Sequence, residues 1–528
     1  MKPLEIDNNL FRYSFTFFSD KKKYLKNLIN EKNRFENFSA KGAGVLFDFS
    51  KQLLDSKAMS FLLKMSEEKD ILNKFSAMVN GEIVNLTENR PALHMLCRDT
   101  GSSIVDNIDF LRVKDEVKDF TKRVHSGQIL SDSGEKFTDI CVIGIGGSNL
   151  GTETVIKSLN SQKKFLKASF ISSCDPEEFF KFKAEHNLKT TLFIIISKSY
   201  KTREVLVNED LIRKSLKAEN LDYKKQIVRI TAKNSPGDNP ESGIKSFHMF
   251  DSIGGRYSVS SAVGGLPVSL AYGFEVYERF LNGMNEMDNH VVNAAPEKNI
   301  AHTAAMIDIW NSVYLNYSTL AIIPYCSNLE KLPFHIQQLY MESNGKMFTE
   351  YNELIMDSTS MIIFGETGTK AQHSFFQLLH QGRVVPVEFI GFLEPESENL
   401  THYEGVSGHQ ELWANLLAQS EALAFGRDTD LNEKHCPGNR PSTIITLQNT
   451  EPENIGKLIS FYEARTILAG FLWDLNPFDQ FGVELGKNIA DAKRKLIKKA
   501  NKDNKSIETE SQSDNFYINA VARKKNNL

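Results

Sequence analysis

From Phe137 onward, short apolar and β-branched runs alternate with longer amphipathic stretches, and this alternation limits the fold more than any other feature of the chain. The runs TDICVIGIGG, KASFISSCD, TTLFIIISKS and KKQIVRITAK form one series. A second series, STLAIIPYCS, DSTSMIIFGET and VVPVEFIGF, follows the helical stretch near Ala301 to Leu315. Short buried strands separated by helix-length connections describe parallel sheets with crossover helices, so two α/β units are expected. The two series share no exact sequence repeat, so any duplication is one of architecture. Before them, apolar positions at helical spacing (Phe61, Leu62 and Met65, then Ile71, Leu72 and Phe75) predict a mainly helical N-terminal region. The expected division is a helical region at 1–110 packing on the larger domain, α/β units at 111–280 and 281–490, and a basic helix with a polar tail at 491–528.

A chain of 528 residues exceeds one ordinary core. With 41% hydrophobic and 25% charged residues it has the mixture of a soluble globular protein. A formal charge of −4 supplies no global field to recruit nucleic acid or an anionic membrane, which leaves small molecules as the expected partners. The cysteines Cys97, Cys141, Cys174, Cys326 and Cys436 lack CxxC spacing and are expected to be reduced and mostly core. The stretch MKPLEIDNNLFRYSF has acids and amides where a signal peptide needs an apolar run, and no window is long enough to span a membrane. A cytoplasmic location is the expectation. The run KNIADAKRKLIKKANKDNK is expected to be a solvated helix, and SIETESQSDN after it a mobile tail.

Two strand ends offer anion chemistry. The strand ICVIGI runs into Gly146, Gly147 and Ser148 and then a probable helix, so bare backbone N–H groups and a helix dipole can meet an anion. A dinucleotide fingerprint fails there, because Asn149 stands where the third glycine belongs. The strand TLFIIIS ends in Ser197-Lys198-Ser199-Tyr200-Lys201-Thr202, with three hydroxyls and two cations at a helix start. Ligands collect at the carboxyl ends of strands in such sheets, which sets both loops on one rim as a phosphate site. The segment GVELGKN, with Gly482, Gly486 and Lys487, has neither the spacing nor the terminal Ser or Thr of a nucleotide P-loop.

Three segments carry groups that can move protons. Glu342 lies beside Ser343 and Asn344 at a probable helix end. Arg256 follows two glycines that let the backbone approach a ligand. His373 and His380 lie seven apart, about two helical turns, and spacing alone does not choose between them. A carboxylate base, a fixed cation and a ring-opening acid or base are what aldose–ketose isomerisation requires.

Taken together, VIGIGGSNLG, GGRYS, QQLYMESNGK, GTKAQHSFFQLLHQG, GNRPS and FDQFGVELGK resemble, in that order, the glucose-6-phosphate isomerase family, and the match runs from near Asn89 to Lys487. The resemblance implies an α/β fold of two sugar-isomerase-type domains, each a parallel five-stranded sheet flanked by helices, with helical N- and C-terminal extensions. It implies a homodimer, no cofactor and no metal, with glucose 6-phosphate and fructose 6-phosphate interconverted in glycolysis and gluconeogenesis through a cis-enediolate. Carried onto this sequence, Glu342 shuttles the proton and Arg256 stabilises the enediolate. His373, donated across the dimer interface, opens the ring with Lys487, and Glu204 orients that histidine, while His380 is structural. Gly147, Ser148, Ser197, Lys198, Ser199 and Thr202 bind the phosphate, and Gln338 and Gln480 contribute to substrate binding. The family's usual SKTFTT is SKSYKT here, with Lys201 expected to face solvent, and SVSSAVGGLPV departs from the usual form after GGRYS.

Two other readings compete. A non-enzymatic phosphosugar sensor on the same domain type would not need Glu342, Arg256, His373 and Lys487 together. An isomerase for mannose phosphate or an amino sugar would be expected to bring an amide-transfer domain with an N-terminal cysteine, or a much shorter chain.

Overall fold

Apolar runs without polar alternation are stable as strands only when both sheet faces are covered, and they pair in that way in the computed structural model, which describes residues 8–98, 107–355, 359–395, 402–503 and 506–522. Met1–Phe478 form one compact unit and Asp479–Leu528 another. In the first unit short helices between Asn8 and Asn37 precede the hairpin β1 (Ser39–Gly42) and β2 (Val45–Asp48), turned through Ala43 and Gly44, which both have positive φ. The strands β3 (Asp139–Ile143), β4 (Lys167–Ile171), β5 (Thr191–Ile196), β6 (Ile227–Ala232) and β7 (Lys245–Met249) follow. They make a five-stranded parallel sheet in the order β4-β3-β5-β6-β7.

The second sheet departs from the expected five parallel strands. Strands β8 (Thr319–Pro324), β9 (Ile362–Gly365) and β10 (Val387–Phe392), a small ribbon of β11 (His402–Tyr403) with β12 (Val406–Ser407), and β13 (Ser442–Leu447) complete the set. The six-stranded order is β1-β2-β13-β10-β8-β9. Strands β13, β10, β8 and β9 run parallel, whereas β2 pairs antiparallel with β13, setting Ile445 opposite Phe47. The N-terminal hairpin thus covers an edge that would otherwise present unpaired backbone groups. Strands β7 and β13 and the hairpin were not among the expected runs.

The helix Pro452–Leu472 is buried without interruption from Leu458 to Leu472, the pattern of a helix surrounded by protein. It crosses the helix Phe274–Asn293 at two glycines. A Cβ on Gly283 would lie 1.9 Å from the Glu453 carbonyl oxygen, and one on Gly456 would lie 2.1 Å from that of Phe280. Charges in this core are paired. Arg465 donates to both oxygens of Asp308 at 2.8 and 2.6 Å and to Glu388 Oε2 at 2.7 Å. Arg98 donates to Asp288 at 2.9 Å and also pairs with Glu463.

Two further expectations are corrected. All five cysteines are free, but only Cys141 is fully buried, with Cys97, Cys326 and Cys436 half-buried and Cys174 exposed. Scattered single thiols can sit at the margins of several clusters as readily as in their centres. The second unit is a helix pair in place of a helix and mobile tail. The helix Gln512–Ala522 brings Ile518 against Ala500 of the helix Glu484–Asp503, and Asn519 bonds both backbone groups of Ile507. Sparse apolar residues suffice there because polar side chains bond the connecting backbone. Among the described residues no helix is long and apolar enough to cross a membrane.

Two stability predictions follow from this core. Arg465→Met leaves Asp308 and Glu388 buried without their cation and is expected to cost about 3–5 kcal/mol. Urea unfolding measures it, and a loss under about 1 kcal/mol would contradict the bridging role. The fully buried His335 has its pKa lowered by burial from 6.5 to about 4, and neither ring nitrogen has a partner among the described residues. Its unfolded form takes up a proton below pH 6.5 while the folded form stays neutral, so stability falls as pH drops from 6.5 towards 4. In that window His335→Leu should flatten the slope of unfolding free energy against pH, and an unchanged slope would refute a neutral buried His335.

Candidate active site

The helix Leu332–Asn344 sets Gln338 and Glu342 one turn apart on one face. Gln338 Nε2 donates to Glu342 Oε2 at 2.8 Å, which orients the carboxylate. Glu342 Oε1 lies 3.8 Å from Arg256 Nη1, with the arginine side chain 1% and the glutamate side chain 22% exposed. The carboxylate therefore reaches solvent while its cation stays within the protein.

Arg256 is held from two sides. Nε donates to Ser343 Oγ at 2.6 Å and Nη2 to the Pro477 carbonyl at 2.6 Å. The buried Tyr257 hydroxyl lies 2.9 Å from Ser343 Oγ and 3.2 Å from the Pro477 carbonyl, adding to the same frame. Lys346 Nζ donates to the carbonyls of Ser343 and Asn476 at 2.8 and 2.5 Å, tying the end of the Glu342 helix to the segment before Pro477. Ser343, Tyr257 and the Pro477 carbonyl were missed as supports in the sequence, although Ser343 and Tyr257 stand beside Glu342 and Arg256 in the motifs.

The glycine turn meets this group directly. Gly146–Ser148 form a 3-10 turn after β3, and a Cβ on Gly147 would lie 2.2 Å from the Gly255 carbonyl carbon. Only glycine permits that approach of the two loops. A Cβ on Gly146 would come within 3.1 Å of the Gln338 amide nitrogen, so the turn also borders the Glu342 helix. Ser148 is half-buried, and the helix Leu150–Ser158 begins at Asn149 without a side-chain cap. Its first backbone N–H groups can therefore serve an anion.

Strands β3 and β5 are adjacent and parallel, which brings their following loops to the same rim. Ser197 is buried and donates to Thr202 Oγ1 at 3.2 Å, and Thr202 precedes the helix Arg203–Ala218 without capping it. Tyr200 has φ +51°, and its hydroxyl accepts from Arg229 Nε at 2.7 Å and donates to Glu209, which fixes the loop from below. Lys198 Nζ donates to the carbonyls of Asp251 and Ile253 at 3.2 and 3.3 Å, and burial pulls its pKa below the ordinary value. It thus braces the approach to the Arg256 loop. Ser199 and Lys201 are exposed, and Glu204 is half-buried in the first turn of the helix.

The two histidines do not share a helix face. His373 caps the helix Gly368–Gln372 and is exposed, and the chain turns again before Phe376–Gln381, which carries His380. A seven-residue spacing marks two turns only in unbroken helix, and this helix breaks at His373. His380 Nε2 lies 2.8 Å from Gln419 Oε1, a packing role. In the second unit, Gln480 precedes the turn Phe481–Val483, and Lys487 is exposed in the first turn of Glu484–Asp503.

A family model described as phosphoglucose isomerase matches residues 48–515. The glucose-6-phosphate isomerase of Desulfosudis oleivorans is 42% identical over 517 residues, covering 95% of each chain. The cytosolic glucose-6-phosphate isomerase of Spinacia oleracea is 35% identical over 506 residues, covering 90% of this chain and 89% of its own. The crystal structure of a glucose-6-phosphate isomerase from Chlamydia trachomatis has a TM-score of 0.90 at 31% identity, covering 98% of this chain and 99% of that one. With the family model matched over residues 48–515 and relatives similar over nearly all of the sequence, this chain belongs to the phosphoglucose isomerase family.

Proposed function

We propose that this chain interconverts glucose 6-phosphate and fructose 6-phosphate in the cytoplasm, as a homodimer, with Glu342 as the proton-transferring base. The observation that carries the reading is the carboxylate of Glu342 held by Gln338 and facing a buried, doubly anchored Arg256 across 3.8 Å. In the open-chain sugar Glu342 takes the proton from C2 of the aldose and returns it to C1. The electron pair left behind spreads over C1, C2 and O1 as a cis-enediolate, and the hydroxyl proton of O2 passes to O1 before C1 is reprotonated, which leaves the ketone at C2. Arg256 offsets that charge, and its anchors to Ser343 and Pro477 mean that little reorganisation accompanies the step.

The phosphate lies over Gly147 and Ser148 and among Ser197, Ser199 and Thr202, with Lys198 behind them. Its binding orients the sugar for chemistry at the far end. Gln338 and Gln480 line the sugar. His373 acts in the site of the other subunit, and its exposure on this chain supports that reading. With Lys487 it opens the ring, and Glu204 orients it. The proposed sugar-isomerase-type domains are the segments 111–280 and 281–490, with the helical region 1–110 packing on the larger of them and the basic C-terminal segment 491–528 following.

Glu342→Gln keeps the shape of the side chain and removes the base. Conversion of fructose 6-phosphate should fall by at least about 10³-fold while phosphate-ester binding persists. Retained turnover would exclude Glu342 as the base. Arg256→Ala should lower kcat by about 10²–10³ with a smaller change in KM, and a change confined to KM would exclude enediolate stabilisation.

Mixing two inactive proteins tests the shared site. If His373 serves the partner's Glu342, unfolding and refolding Glu342→Gln with His373→Ala together yields heterodimers in which one site is wild type. Half the dimers are then mixed and half their sites intact, giving about one quarter of wild-type activity. No recovery in refolded mixed dimers would show that each chain uses its own histidine.

A further inference from the structure

The helix Asn107–Ser126, the loop before β4 and the start of the helix Phe274–Asn293 enclose an open cleft of about 630 Å³ whose lining shares no residue with the isomerase site above. Three lysines line it, Lys118, Lys122 and Lys163. All three are exposed, and none pairs with a carboxylate among the described residues. Lys118 and Lys163 rest instead over the rings of Phe274 and Phe165, at 5.2 and 5.3 Å from the centroids. The ring of Phe165 is held by a stacked His125, with centroids 4.3 Å apart and planes 9° from parallel.

The neighbouring charges leave the cleft positive. Arg279 is taken up by Glu451 and Glu453 at 2.7 Å each. Glu278 lies 3.9 Å from Lys114, so Glu275 is the one acid of the lining with no cation partner among the described residues, set against three lysines. Burial lowers the pKa of His125, whose Nε2 lies 2.9 Å from the Leu270 carbonyl, so this histidine adds no charge near neutral pH.

Two backbone and side-chain features complete the site. The 20-residue helix Phe274–Asn293 starts after Gly273, which has no side chain to cap it, so the first-turn N–H groups at Phe274, Glu275 and Val276 face the cleft end of the helix dipole. Independently, Thr121 lines the cleft at 2% exposure, and its hydroxyl is buried with no hydrogen-bond partner among the described residues. A buried hydroxyl left unpaired is costly, and a ligand oxygen or its bound water would satisfy it.

We propose that this cleft binds an anion carrying at least two phosphate groups, of the pyrophosphate or nucleoside diphosphate class, at a site separate from the sugar phosphate. A single phosphate, with a charge of about −1.5 to −2 at neutral pH, would leave the three lysines and the helix end undercompensated. Two phosphates can span lysines from different elements while a terminal oxygen meets the helix N–H groups.

Titration calorimetry with pyrophosphate, on the full chain already saturated with 6-phosphogluconate to fill the sugar-phosphate site, tests the proposal. The expected result is remaining saturable binding that weakens by about tenfold or more in Lys118→Glu and in Lys163→Glu, both surface changes. Thr121→Val should weaken it less, and isomerase turnover of each variant without pyrophosphate verifies folding. Loss of all pyrophosphate binding under 6-phosphogluconate, or undiminished affinity in the two lysine variants, overturns the proposal. Repeating the titration with a nucleoside diphosphate distinguishes the sources: tighter binding than pyrophosphate means that the cleft also holds the nucleoside, and equal affinity assigns the site to the diphosphate itself.

Discussion

The buried helix Pro452–Leu472 is the element on which the remaining geometry depends. Its Arg465 joins Asp308 of one helix to Glu388 of strand β10, and its Glu463 meets Arg98 from the N-terminal region. Charges so deep are tolerated only when each is paired, and the pairing requires these elements to arrive in one arrangement. The close approach at Gly283 and Gly456 fixes the neighbouring helix with backbone contacts that admit no side chain.

The same helix leads into the candidate active site. The side chain of Asn344 donates to the Thr466 carbonyl at 3.1 Å, which fixes the end of the helix that presents Glu342. Just past Leu472 the chain delivers the Pro477 carbonyl to Arg256. A cation poised against a developing negative charge acts best when it needs no rearrangement. Here that rigidity comes from a carbonyl 221 residues away in sequence. In the proposed mechanism, core packing and proton chemistry are therefore coupled through one segment.

The strand-end loops show how a polar rim is built on an apolar sheet. Beneath the Ser197–Thr202 loop, Tyr200, Glu209 and Arg229 form a satisfied network, and Lys198 braces the loop against backbone carbonyls. The serine and threonine hydroxyls of the rim remain adaptable because the charged groups are occupied below them. At the other edge of this α/β unit, the cleft near Gly273 has the opposite character, with lysines held over aromatic rings and a hydroxyl unpaired.

Local pattern alone determined the parallel strands, since runs such as ICVIGI and TLFIIIS fit only a covered sheet, and it determined which rim would carry the hydroxyls and glycines. The motifs around Glu342 and Arg256 also identified the family, because residue type and order are preserved in sequence. Strand β7 escaped because an edge strand buries few residues and loses the pattern, and the β1–β2 hairpin because its partner β13 lies some four hundred residues away. The break at His373, the anchoring of Arg256 by Pro477 and the diversion of Lys198 to backbone carbonyls were decided by tertiary structure. Side-chain chemistry and periodicity are written in consecutive residues, whereas the distance and orientation of groups far apart in the chain exist only once the core has closed.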